Sequence, residues 1–83
     1  MQARLAVGDR EAAERAVREL VARAGGRVLA RADESGTTVL VLAVPSQRWE
    51  DVRGGLQTLG ALSLEGQGDA AARQLVFTLR LVR

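Results

Sequence analysis

Chemistry in this chain would have to start from three serines, ten carboxylates or the strand–helix junction Val7-Gly8-Asp9. A serine nucleophile needs a base beside it and a sharp glycine elbow to expose it. Ser35, Ser46 and Ser63 have neither, because the chain contains no histidine. The absence of cysteine and histidine also excludes disulfides, thiol nucleophiles, imidazole acid–base catalysis and the usual zinc sites. Oxygen-ligated metals need several convergent carboxylates. Here the acids are scattered, and Asp33-Glu34 falls in a turn with no partner cluster. Gly8-Asp9 precedes a helix, and helix N-termini bind anions. Asp9 puts a negative charge there, however, and neither the P-loop nor the dinucleotide fingerprint is present. The expectation is a protein that is not an enzyme, with no catalytic, cofactor-binding or metal-binding residues.

Nucleic acid is excluded on similar grounds. Small α+β domains that read RNA stack bases on aromatic residues of two central strands. The only aromatics here are Trp49, on an expected helix, and Phe77. The net charge is only +2, and the pI of 11.0 follows from the basic residues being arginine throughout. A basic stripe, rather than a high pI, would indicate nucleic acid.

With 83 residues the chain suffices for one domain, 1–83. No run reaches the roughly 18 apolar residues of a membrane span, and MQARLAVGD lacks a signal-peptide core. Met1 opens almost directly onto a strand, as expected of a domain excised from something longer.

The elements follow from periodicity. Ala3, Leu5 and Val7 alternate as a first strand. Asp9 caps a helix over 10–24, whose stripe is Ala13, Ala16, Val17, Leu20, Val21 and Ala24. Glu11–Arg15, Glu14–Arg18 and Glu19–Arg23 are i,i+4 pairs, and Gly25-Gly26 stops the helix. A hairpin follows, 27–33 and 37–44, turning at Glu34-Ser35-Gly36 with Gly36 at positive φ. Strict alternation sets Val28, Ala30 and Ala32 on one face of its first strand, and Arg27, Leu29 and Arg31 on the other. The second strand is apolar on both faces, as in a central, covered strand. Pro45 ends it and Ser46 is the expected N-cap of a helix over about 46–59, with Trp49, Val52, Leu56 and Leu59 inward. Gly54-Gly55 inside that helix predicts a bend or a close helix–sheet approach. Strands follow at 61–65 and 74–82, around a loop at 66–72.

The order β-α-β-β-α-β-β predicts an α+β fold. Specifically, it predicts a ferredoxin-like β-α-β-β-α-β two-layer sandwich with an added C-terminal strand. Both helices should cover one face of an antiparallel sheet, and the last strand should pair with the fourth as a hairpin.

The stretch from Leu20 to Leu62 carries a pattern: a helix ending in Gly25-Gly26, a strand, a turn, and an apolar strand ending in Val44-Pro45. An amphipathic helix with Trp49, Val52, Leu56 and Leu59 follows, then Gly60 and another strand. This half of the chain resembles an uncharacterised extracytoplasmic domain of bacterial lipoproteins and of membrane-anchored, zinc-finger-type anti-sigma factors. The strand at 74–82, where many members continue in an acidic helical segment, suits the anti-sigma branch better. The resemblance implies a non-enzymatic regulatory or sensory role on the extracytoplasmic side of a bacterial membrane. Attachment would run through a segment outside this chain. The other functional reading is a cytoplasmic, small-molecule-binding regulatory domain similar to ACT domains, suggested by Gly8-Asp9. Against it, Arg10-Glu11 stands where Pro-Gly usually follows that Asp.

A two-layer domain leaves one sheet face uncovered. Strand 37–44 has no polar face to offer it, so either Val39, Val41 and Ala43 or Leu40, Leu42 and Val44 must point there. Val76 and Arg80 join from the last strand, Leu29 and Arg31 from the second, and Arg4 from the first. Leu29, Arg31, Leu40, Leu42, Val76 and Arg80 are therefore the candidate protein interface. The expected partner is protein: a second copy or another segment of the parent chain. The competing reading has the last strand or a terminus folding over that face.

Overall fold

A computed structural model of the chain describes residues 2–65 and 73–82. The elements are β1 (Gln2–Ala6), α1 (Arg10–Arg23), β2 (Arg27–Glu34), β3 (Thr37–Pro45), α2 (Trp49–Leu59), β4 (Ala61–Glu65) and β5 (Gln74–Val82). A 3-10 turn, Ser46–Arg48, leads into α2. The loop expected at 66–72 lies outside the described residues.

The fold is α+β, with five strands in one sheet, ordered β2-β3-β5-β1-β4. Two expectations fail here. β5 is not a hairpin partner of β4: it lies in the middle of the sheet, antiparallel to β3 and parallel to β1. The sheet is consequently mixed rather than antiparallel. The physical reason lies in β5 itself. Its inward row, Leu75, Phe77, Leu79 and Leu81, is buried along its whole length. Burial of that kind is available to a central strand and not to the edge of a small sheet.

Both helices lie on the same face. They touch each other and share one core with Ala3 and Leu5 of β1, Leu40, Leu42 and Val44 of β3, and the inward row of β5. The helices contribute Ala13, Val17 and Val21 from α1 and Val52 and Leu56 from α2. Trp49 packs at the margin, edge-on to Phe77 with ring centroids 5.1 Å apart.

The ends of the helices are fixed locally. Asp9 Oδ1 accepts from the amides of Glu11 (3.0 Å) and Ala12 (3.3 Å). At the other end Gly26 N donates to Val21 O and Gly25 N to Ala22 O, a Schellman closure with Gly25 at φ +78°. Ser46 is not the N-cap of α2; that position is Arg48, which makes no side-chain capping bond. The Ser46 hydroxyl and amide both donate to Arg73 O at 3.0 Å, tying the entry of α2 to the start of β5. The β2–β3 turn has Ser35 (φ 46°) and Gly36 (φ 82°) both left-handed, the geometry of a two-residue hairpin turn.

α2 shows what its glycine pair is for, and the close approach is to a helix, not to the sheet. A Cβ on Gly55 would lie 2.6 Å from Leu20 Cδ1 of α1, whereas one on Gly54 meets nothing within 4 Å. Gly55 is the point where α1 and α2 meet.

Candidate functional site

The register of the strands determines the uncovered face. Its central row runs Ala32, Val39, Arg80, Arg4, Ser63 from β2 to β4. The next row is Ala30, Val41, Thr78, Gln2, Glu65. Beyond it Arg27, Ala43 and Val76 are partners. Val39 and Val41 are half-buried by their neighbours, while Val76 is 51% exposed. Arg4, Ala30, Ala32 and Arg80 in these rows are exposed, whereas Ala43 is sheltered at 2% exposure.

Of the two faces that β3 could have presented, the open one is Val39, Val41 and Ala43. Leu40 and Leu42 are at 0% exposure beneath the helices, so these two candidates belong to the core and cannot line a surface. They pair with Leu79 and Phe77, whose inward row leaves them no alternative. Val76 and Arg80 stand on the open face as expected.

Arg31 and Leu29 are displaced by a feature the alternation hid. The β2–β3 register slips between Val28 and Ala30, leaving Leu29 as the extra residue of a β-bulge. An extra residue inverts the phase of the strand beyond it. Ala30 and Ala32 therefore move to the open face, away from Val28. Arg31 and Asp33 move to the helix side, opposite Leu40 and Thr38. Leu29 itself is 48% exposed.

The inversion places Arg31 in a polar network that joins the edge strand to α1. Arg31 Nε donates to Glu14 Oε1 at 2.7 Å, and its Nη1 to Asp33 Oδ2 at 3.0 Å. Glu14 also accepts from Arg18, and Asp33 accepts from the hydroxyl of Thr38, which is buried. The hydrogen bond to Glu14 raises the Arg31 pKa, opposed by desolvation and supported by the charges of Asp33 and Glu14. The guanidinium stays charged at any pH the protein survives. A hollow of about 240 Å³ beside the network is lined by Arg10, Glu14, Arg31, Asp33 and Thr38 among others. Glu14 and Asp33 are paired with arginine there, and the pairing fastens the bulged strand to α1.

A second hollow, about 180 Å³, opens on the uncovered face between Gln2, Ala3, Arg4, Glu65 and Arg80. At the Gly8-Asp9 junction the Asp9 carboxylate is committed to capping α1. Among the described residues no group of three or more acidic side chains is placed to hold a metal ion. Among the described residues no helix is long and apolar enough to cross a membrane.

Compared with protein-family models, with curated proteins and with solved structures, the chain matches none. The functional reading therefore rests on the geometry of the open face and on the sequence pattern.

Proposed function

We propose that this chain is a non-enzymatic regulatory domain that works by docking protein on the open face of its sheet. The observation that carries the reading is the composition of that face: Val39, Val41, Val76 and Arg80 on the adjacent strands β3 and β5, with Arg4 on β1 and Arg27 on β2 beside them. Apolar centres with arginine at hand are the composition of protein interfaces. Five strands about 4.8 Å apart give a face roughly 20 Å across, the size of a weak or transient interface.

Without β5 the strand order would be β2-β3-β1-β4, and we read the fold as a ferredoxin-like split β-α-β unit opened to admit that strand. The pattern from Leu20 to Leu62 adds the context: the extracytoplasmic part of a bacterial anti-sigma factor, anchored through a segment outside this chain. The test is made in the full-length protein. Val76→Glu and Arg80→Glu, both on exposed side chains, should change transcription by the sigma factor encoded beside the gene while leaving the domain's Tm within a few degrees. Unchanged transcription with both variants, or the absence of any such neighbour and of a membrane anchor, would refute this role.

A further inference from the structure

Arg4 and Arg80 are register partners on the parallel strands β1 and β5. They stand side by side in the central row of the open face, and like charges so placed repel each other. Among the described residues neither has an ion pair or hydrogen bond, while Arg31 on the opposite face has both Glu14 and Asp33. Glu65 lines the same hollow but pairs with neither. Val39 is the neighbour of Arg80 across the row, and Val41 and Val76 lie in the next rows along β3 and β5. An unneutralised guanidinium pair bordered by apolar residues is complementary to carboxylates that are themselves bordered by apolar residues.

A second copy of this chain docked about the centre of the face would set arginine against arginine. β5 is the middle strand of the sheet. A two-fold axis through the centre of the face, along the strands or across them, therefore brings Arg80 close to its own symmetry mate. Removing water from that contact makes the repulsion worse.

We propose that the open face takes an acidic segment of a partner protein, with its carboxylates on the Arg4–Arg80 doublet and its apolar side chains on Val39, Val41 and Val76. The proposal rests on the protein-docking reading above and adds the chemistry of the partner. It is tested by NMR titration of the isotope-labelled protein with acetyl-Glu-Leu-Glu-Val-Glu-Leu-amide and with the same peptide carrying Gln for Glu. The Glu peptide should give saturable shifts at the amides of Arg4, Val39 and Arg80, and the Gln peptide should not. Arg4→Gln and Arg80→Gln should each weaken binding about three- to tenfold. Neither should lower Tm, because each removes a repulsion. Equal binding of both peptides would overturn the acidic partner and leave the docking reading intact. Identical, equally arginine-dependent shifts with inorganic phosphate would reduce the site to an oxyanion site and overturn the proposal. So would sedimentation showing self-association that Arg80→Gln abolishes, or the absence of shifts with every probe. The docking reading falls separately, on the transcription test above.

Discussion

Gly54 and Gly55 are adjacent in the middle of α2, and replacing each by alanine should move stability in opposite directions. At Gly54 the added methyl meets nothing within 4 Å, so the variant gains the helix propensity of alanine, about 1 kcal/mol. For a domain of this size that is a Tm rise of roughly 4–8 °C. At Gly55 the same gain is opposed by a methyl placed 2.6, 2.7 and 3.2 Å from Cδ1, Cδ2 and Cγ of Leu20. Leu20 must leave its rotamer or α1 must move, and overpacking of that kind costs about 1–3 kcal/mol. Gly55→Ala should therefore be destabilising by up to about 2 kcal/mol, and the two variants should differ by about 1–3 kcal/mol. Urea denaturation gives the difference from the midpoints, provided the slope is unchanged. A double-mutant cycle identifies the cause. Leu20→Ala vacates the space, so Gly55→Ala should become favourable in that background. Equal stabilisation by both single variants, or no coupling between Gly55→Ala and Leu20→Ala, would mean that Leu20 does not hold the space beside Gly55.

Other substitutions probe the remaining joints. Gly60→Ala would put a methyl 1.9 Å from the carbonyl oxygen of Ala6, and Gly26→Ala one 2.4 Å from that of Ala43. Backbone must shift in each case, so both should lose at least about 3 kcal/mol in denaturant titration. Asp9→Ala removes the acceptor for two amides and should cost about 1 kcal/mol by the same measurement. Phe77→Ala empties the centre of the core and should cost about 3–5 kcal/mol, with loss of the near-ultraviolet signal of Trp49 beside it.

Periodicity was a good guide wherever one residue pattern served one neighbour. The helix stripe of α1, the Asp9 cap, the Gly25-Gly26 stop and the bounds of β4 and β5 all follow from local chemistry, and the structure has them where the sequence put them. The face of β3 was undecidable by pattern, because both of its rows are apolar. The decision is made by β5, whose Leu75–Leu81 row must be buried and whose register fixes Leu40 and Leu42 beside it. That long unbroken row was also the available signal that β5 is central. Alternation shows how a strand is buried but not which strands flank it, and pairing with β4 was the shortest connection rather than the one that buries most.

The bulge at Leu29 explains why the candidate site itself was only half legible. RVLARADE alternates except at Leu29, which makes Val28-Leu29-Ala30 three apolar residues in a row, and that break is the one mark of the extra residue in the sequence. The favoured phase is the broken one. Unbroken alternation would put Ala30 and Ala32 beside Val28 under the helices and leave Arg31 and Asp33 on the open face. It would also separate Arg31 from Glu14. With the slip, Val28 still packs at the core, and the charged residues beyond it turn toward α1, where Glu14 and Thr38 complete their hydrogen bonds. The open face receives two alanines in their place. Apart from Arg27 at the end of the edge strand, its basic charge is then carried by Arg4 and Arg80, with neither Arg31 nor Asp33 beside them, and that makes the doublet the distinctive feature of the face. A residue deletion tests the point directly. Removing Leu29 joins Val28 directly to Ala30, whose partners Leu42 and Val41 are already adjacent on β3, so the ladder becomes regular while Arg31 stays opposite Leu40 and keeps its pair with Glu14. If the deletion variant loses that pair, as read by NMR of the Arg31 Nε proton, Leu29 is not the extra residue of the strand.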